Sequence, residues 1–168
     1  MDIILGYDPT TLREQVDLQA AGDRLAELEN RRDTESINEK VALLRMVGRI
    51  DDAWDAANAA LRNARMTGDR ESICRARIRR AQVQQEQGKL DDARRELTAC
   101  IDEARTHDWA ATEAFALQHR GKVLFDHGDF ANALQDFRTA AAMRERIGAP
   151  DDQVQSSLFA AQVVESRL

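Results

Sequence analysis

Four arginines crowd the stretch CRARIRRAQ, residues 74–82, in a chain whose formal net charge is −6. Two of them, Arg75 and Arg79, are spaced so that they share one face of a helix. The guanidinium group presents a planar fork of N–H donors that matches the two oxygens of a carboxylate. The pair therefore predicts a docking site for an anionic group. The alternative is a solvated helix face, on which Glu71, Glu86 and other acidic neighbours balance the arginines.

Other residue types that could do chemistry form no recognisable pattern. The histidines His107, His119 and His127 are scattered, and none has the carboxylate–histidine spacing of a metal site. Cys74 and Cys100 form no CxxC motif, so we expect two small core thiols. Hydrolase, zinc-protease and nucleotide-binding motifs are absent. We expect no enzyme activity, no catalytic residues, no metal and no cofactor; acidic pairs at helix starts leave a carboxylate-based enzyme as an alternative.

The composition favours a helical protein without a membrane or nucleic-acid partner. Apolar residues make up 43% of the 168 positions, and only two prolines are present. Alanine, arginine, glutamate and leucine dominate over β-branched and aromatic types, which favours helix. The acidic balance argues against non-specific nucleic-acid binding. The start, MDIILGYDP, lacks the basic leader of a signal peptide, and no apolar stretch could span a membrane, so we expect a cytoplasmic protein.

A phrase centred on a glycine recurs three times with a period of 40 residues. The copies are VGRIDDAW, QGKLDDAR and HGDFANAL, at residues 47–54, 87–94 and 127–134. Glycine can end a helix in the left-handed conformation, and acidic residues favour the start of the next helix. A small residue follows in each copy and permits close helix packing: Ala53, Ala93 and Ala133. A repeat of this length predicts a solenoid of helical hairpins.

This pattern resembles the tetratricopeptide repeat (TPR) family over about residues 34–168. The family's landmarks are a small residue, then glycine, alanine, a large apolar residue and a second alanine, at fixed spacing. The third unit matches them best, with Gly121, Gly128, Ala133, Phe137 and Ala140. The second unit has Ala81, Gly88, Ala93, Leu97 and Cys100, and the first has Val41, Gly48, Ala53, Ala57 and Ala60. The unit is longer than usual, and Arg77 and Arg80 replace apolar residues.

The resemblance implies an all-α, right-handed superhelical solenoid of antiparallel helix hairpins. We expect TPR-like repeats at about residues 34–68, 69–108 and 109–150. Their helices are predicted at 36–47, 51–66, 71–87, 91–105, 110–127 and 131–146.

Both ends of the chain are predicted to cap this array. Residues 1–33 are expected to contain a capping helix that starts at Thr11, with Glu14 completing a capping box. The preceding stretch IIL, residues 3–5, has no assigned role. Residues 151–168 are expected to form a C-terminal capping helix, because each repeat buries its face on the next.

The resemblance also implies a function. The first helix of each TPR pair lines a concave groove, so the chain is expected to be a non-catalytic scaffold that binds a peptide segment of a partner protein. The family's groove positions transfer to these residues: Asn38, Arg45, Arg75, Arg79, Gln82, Phe115, Gln118, His119 and Lys122. They also place Glu35, Glu39, Ala42, Glu86 and Asp126 on this surface. Four cations among them, Arg45, Arg75, Arg79 and Lys122, favour a partner that offers an acidic segment or a free C-terminal carboxylate.

Two other functions remain open on the sequence alone. One is a self-assembly module, because the last helix has an apolar edge with no following helix to cover it: Ala160, Ala161, Val163 and Val164. This edge predicts a homodimer through the C-terminal helix. The other is a regulatory sensor of a small ligand or a signalling peptide. An anion bound in the groove would favour the sensor, and a symmetric apolar contact at residues 155–168 would favour self-assembly.

Overall fold

The computed structural model describes residues 2–168, which form eight helices and one two-stranded antiparallel hairpin. The helices are α1 Leu18–Leu28, α2 Thr34–Met46, α3 Ile50–Thr67, α4 Arg70–Glu86, α5 Leu90–Thr106, α6 Ala110–Asp126, α7 Phe130–Arg146 and α8 Asp151–Glu165. The strands are β1 Ile4–Tyr7 and β2 Glu14–Val16. The six predicted repeat helices are confirmed, because α2 to α7 each begin and end within two residues of the expected position.

The repeat helices stack in chain order. Each helix from α2 to α7 packs against the next one, and α2, α4 and α6 also contact one another in series. These three helices form an inner layer, and α3, α5 and α7 form an outer layer. The predicted all-α solenoid of helix hairpins is confirmed, and the sequence analysis did not anticipate the hairpin of β1 and β2, residues 4–16, called the N-terminal hairpin below.

The landmark positions of the outer helices supply the core of each repeat. They are at most 4% exposed, and they are Ala53, Ala57, Ala60, Ala93, Leu97, Cys100, Ala133, Phe137 and Ala140. Spacing of three or four residues puts them on one stripe that faces the inner helix. Small residues let the helices approach closely. At Gly121 a Cβ atom would lie 2.6 Å from the ring of Phe137, so only glycine fits beside that ring.

A left-handed glycine ends each inner helix, as the repeat phrase predicts. Gly48, Gly88 and Gly128 have φ values of 82°, 77° and 84°. The amide of the next residue donates a hydrogen bond of 2.9 Å back to a carbonyl in the last helical turn, as Lys89 does to Gln84. This bond satisfies a carbonyl at the helix end and reverses the chain into the outer helix.

The predicted helix start at Thr11 is wrong. The Asp8 carboxylate accepts hydrogen bonds from the amides of Thr10 and Thr11, at 2.6 and 3.0 Å, and so forms a turn between the strands. Helix α1 begins only at Leu18, where the Asp17 carboxylate accepts from the amide of Ala20 at 3.0 Å. Turn and capping box compete for the same types of polar side chain, and here the turn forms.

The apolar edge expected on the C-terminal helix is also absent. Val163 is 8% exposed and Val164 is fully buried, and both belong to an apolar cluster with Leu12, Phe125 and other residues of α6 and α7. Helix α8 thus turns its valines inward and acts as a cap. The premise on which a homodimer through this helix was predicted is therefore wrong.

Candidate functional site

The inner helices enclose a groove with a cavity volume of about 860 Å³. Ligand pockets typically measure about 300–1,000 Å³. All nine predicted binding residues line it: Asn38, Arg45, Arg75, Arg79, Gln82, Phe115, Gln118, His119 and Lys122. Glu86 and Asp126 do not line it. They pair instead with Arg13 of the N-terminal hairpin, at 2.9 and 2.7 Å.

Exposure of the lining residues falls along the inner helices. The exposed ones on these helices lie in the first half of each helix: Glu35, Arg75 and Ala111. Those further along are only 2%, 3% and 6% exposed: Gln82, Gln118 and Lys122. The groove therefore has a mouth at the starts of α2, α4 and α6, and a floor towards their ends.

The N-terminal hairpin lies across this floor. The Glu14 carboxylate accepts two hydrogen bonds from the Arg45 guanidinium, at 2.9 and 3.2 Å, and lies 3.7 Å from the Lys122 ammonium. The three side chains are only 8–9% exposed. Because charges in such a place are costly unless they are paired, Glu14 is the residue that makes the two floor cations compatible with burial.

These contacts fix the ionisation of the floor. Burial alone would raise the pKa of Glu14, but Arg45 and Lys122 outweigh it and hold the pKa well below the ordinary value. Burial, reinforced by Lys122 and Arg45, holds the pKa of His119 well below its usual value, so its ring is neutral at pH 7. The His119 ring meets the Phe115 ring edge-on, with centroids 4.8 Å apart.

The arginines nearer the mouth have no such partner. Among residues 2–168, no carboxylate lies within ion-pairing distance of Arg75 or Arg79. The Arg75 guanidinium donates to the Thr112 hydroxyl at 3.1 Å, and the Arg79 guanidinium lies 4.9 Å from the centre of the Phe115 ring. Burial lowers the pKa of Arg79 to about 10, with further contributions from Arg45 and Arg75.

The other two arginines of residues 74–82 form ion pairs. Arg77 lies 2.8 Å from Glu96 and 3.0 Å from Glu103, both on α5. Arg80 lies 3.5 Å from Glu96. These ion pairs explain how the chain tolerates arginine at positions where the TPR pattern has apolar residues.

Buried polar atoms without hydrogen-bond partners also line the groove. Gln82 is 2% exposed, yet neither its amide nitrogen nor its amide oxygen has a hydrogen-bond partner within residues 2–168. The Arg45 Nε is also without a partner in that range. A buried polar group left unsatisfied costs about 1–3 kcal/mol. The floor therefore offers both donors and an acceptor that the described chain does not use.

Several lining residues escaped the sequence analysis. The hairpin contributes Ile4, Tyr7 and Glu14, and the far end of the solenoid contributes Arg144 and Ser156. The polar stretch DPTT between the apolar run IILGY and strand β2 is a hairpin signal that could have been read. Nothing in the sequence indicated that this hairpin would lie in the groove.

The two cysteines lie in the core of the fold. Cys74 and Cys100 are buried free thiols, as predicted, and each Sγ donates to the carbonyl oxygen of the other residue, at 3.7 and 3.8 Å. Residues 2–168 contain no group of three or more metal-ligating side chains. Within the same range, no helix is long and apolar enough to cross a membrane.

Comparison with solved structures identifies the kind of fold. A Rap protein complexed with competence and sporulation factor is similar over 89% of this chain and 43% of its own, with 18% identity and a TM-score of 0.74. BtubC (BKLC) from P. vanneervenii is similar over 89% of this chain and 66% of its own, with 16% identity and a TM-score of 0.62. The fold is a TPR-like helical repeat.

At these identities the likeness concerns the fold alone. The chain spans less than half of the Rap protein and about two thirds of BtubC. Neither a protein-family model nor a curated protein matches the sequence.

Proposed function

We propose that this chain is a non-catalytic interaction module that binds an acidic peptide segment of a partner protein in its concave groove. One observation carries the proposal: Arg75 and Arg79 line the groove without a carboxylate partner in the part of the chain that the structure describes. The helical-repeat fold supports it, because such arrays present a preformed concave surface that lowers the ordering cost of binding.

The contrast within α4 strengthens the argument. The paired arginines, Arg77 and Arg80, face α5 and hold two helices together. The unpaired arginines face the groove, where burial and mutual repulsion already depress the pKa of Arg79. A ligand carboxylate would relieve that repulsion and restore the favourable pairing of a guanidinium fork. Phe115, half-buried beside Arg79, supports an apolar ligand residue next to the acidic one.

A dye-labelled oligoglutamate peptide tests the proposal by fluorescence anisotropy. The variant Arg75→Glu/Arg79→Glu should bind at least about tenfold more weakly than the wild type, a loss of about 1.4 kcal/mol or more. The matched control is Arg62→Glu/Arg65→Glu, which changes the net charge equally at two exposed positions of the outer helix α3. The control should keep its affinity, and both variants should keep their helical circular dichroism.

The result that contradicts the proposal is equal binding by the wild type and the groove variant. In that case the arginines are a solvated face, and the acidic-ligand hypothesis fails. A pull-down from cell extract, compared between the same two proteins, then identifies any partner held by other residues.

A second candidate is a sensor of a short free peptide or another small ligand. The cavity volume of about 860 Å³ and the wall formed by the hairpin favour it, because they limit how much ligand the groove can enclose. The two candidates share the arginine pair and differ in ligand length. Binding of short and long acidic peptides with equal affinity supports the sensor.

We also propose that the chain is a 40-residue-unit variant of the TPR family, acting in the cytoplasm. Its repeats would span about residues 34–68, 69–108 and 109–150, with residues 1–33 and 151–168 as terminal caps. The common position of the three left-handed glycines supports this division.

A further inference from the structure

We infer that the N-terminal hairpin makes the groove a blind cup, which admits the end of an acidic chain and excludes a segment whose chain continues in both directions. The inference rests on the acidic ligand proposed above and adds which part of that ligand enters. It follows from where the hairpin is attached, how the cup is bounded and which charges lie at its floor.

The hairpin is attached to the end of every inner helix. Glu14 binds Arg45, the last residue but one of α2. Arg13 binds Glu86 and Asp126, which are the last residues of α4 and α6. A ligand that enters at the mouth and runs along the inner helices therefore meets strand β2 before it can leave.

This barrier is anchored beyond the groove as well. Leu12 is 1% exposed and packs in the apolar cluster of Phe125 and Val164. The Tyr7 ring lies 6.3 Å from the Phe159 ring of α8, and Arg167 donates to the Thr10 carbonyl at 3.0 Å. The hairpin is thus held on two sides, by ion pairs at the groove and by burial of Leu12 near α8.

A second side of the cup is closed by the start of α8. Gln153 and Ser156 of that helix line the groove. Arg144 of α7 is 6% exposed and donates to the Gln153 carbonyl and the Ser157 hydroxyl, both at 2.8 Å. These bonds tie α8 to α7 at the groove wall.

The charges at the floor suit a ligand carboxylate. The floor cations Arg45 and Lys122, with Arg79 between them and the mouth, outnumber the one carboxylate of the floor, Glu14. The free amide of Gln82 lies on the same lining and offers a further donor. A chain end can bring its acidic group to this depth without the polypeptide having to turn back.

Three dye-labelled peptides of equal length and charge test the inference. Each contains one oligoglutamate block in a glycine–serine chain, placed at the carboxyl end, at the amino end or in the middle. The better of the two end-block peptides should bind the wild type at least about tenfold more tightly than the middle-block peptide. Amidating the carboxyl end then separates a terminal carboxylate from a glutamate side chain as the group bound.

Opening the cup should abolish this preference. The variant Arg13→Gln/Glu14→Gln removes the ion pairs that hold β2 to the inner helices, so the middle-block peptide should approach the affinity of the end-block peptides. The matched control, Arg138→Gln/Glu165→Gln, removes an exposed ion pair of 2.7 Å on the outside of the solenoid and should keep the preference. If Arg13→Gln/Glu14→Gln fails to fold, the affinities of the wild type for the three peptides still test the inference.

The two proposals fail in different ways. Equal affinity of the wild type for all three peptides, with the dependence on Arg75 and Arg79 intact, overturns the blind cup and leaves the acidic groove standing. Absence of binding by all three peptides, or binding that ignores the charge reversal, overturns the acidic groove itself.

Discussion

The floor and the mouth of the groove hold similar charges in opposite circumstances. At the floor, Arg45 and Lys122 share the carboxylate of Glu14. Towards the mouth, Arg75 and Arg79 line the same cavity, and no carboxylate within residues 2–168 lies within ion-pairing distance of either. The paired cations attach the hairpin and stabilise the fold. The unpaired arginines repel each other, so a contribution to stability does not explain their presence in the groove. The difference indicates which cations hold the fold together and which lack a partner that a ligand could supply.

The largest expected effect is at the floor. Glu14→Gln leaves two buried cations without their carboxylate, so the free energy of unfolding at pH 7 should fall by about 3 kcal/mol in urea denaturation. As a control, Glu27→Gln removes a carboxylate that is 65% exposed and should change it by less than about 0.5 kcal/mol. Equal, small losses in both variants would show that the floor is no more structural than the surface.

The loss of stability in Glu14→Gln should depend on pH. The pKa of Glu14 is lowered by folding, so its stabilisation is complete above the ordinary glutamate pKa of about 4.3 and is lost as the pH falls below that value. The gap in stability between wild type and Glu14→Gln should therefore be constant from pH 7 to about 5 and narrow in more acidic solution. A gap that widens on acidification contradicts the assignment of Glu14 as the charged partner.

A smaller effect on stability, of opposite sign, is expected at Arg79, which is less exposed than Arg75. Arg79→Met removes a cation that is disfavoured by burial and by Arg45 and Arg75, so the unfolding free energy should rise by about 1 kcal/mol while oligoglutamate binding weakens. Arg77→Met is the matched control, because it removes ion pairs with Glu96 and Glu103 and should lower stability. A lower melting temperature for Arg79→Met would mean that its contact with Phe115 outweighs the repulsion.

The smallest change in stability is expected at the mouth. Arg75 is exposed and donates only to Thr112, so Arg75→Gln should alter the unfolding free energy by less than about 0.5 kcal/mol. Its affinity for oligoglutamate should nevertheless fall, and the wild type should lose affinity as salt rises, because exposed charges are screened beyond about 8 Å at physiological ionic strength. If the affinity for oligoglutamate is unchanged both by Arg75→Gln and by added salt, the mouth is not part of the binding site.

Much of the groove could be predicted because each contributing residue belongs to a repeat. Gln82 and Lys122 lie one 40-residue period apart on α4 and α6, and Asn38 and Gln118 lie two periods apart on α2 and α6, so one helix-face pattern located all of them. Their ionic state could not be predicted in the same way. The sequence analysis counted four available cations, and the structure pairs two of them with Glu14.

The sequence by itself determined the six repeat helices, the left-handed turns at Gly48, Gly88 and Gly128, and the buried stripe of the outer helices. These features depend on contacts within a helix or between neighbouring helices, and the same sequence pattern occurs three times at a spacing of 40 residues. Only the tertiary structure decided that the N-terminal hairpin closes the groove. Its ion pairs join residues 31 and 113 positions apart, as in Glu14–Arg45 and Arg13–Asp126. The hairpin occurs once and follows no period, so no local pattern specifies where it binds.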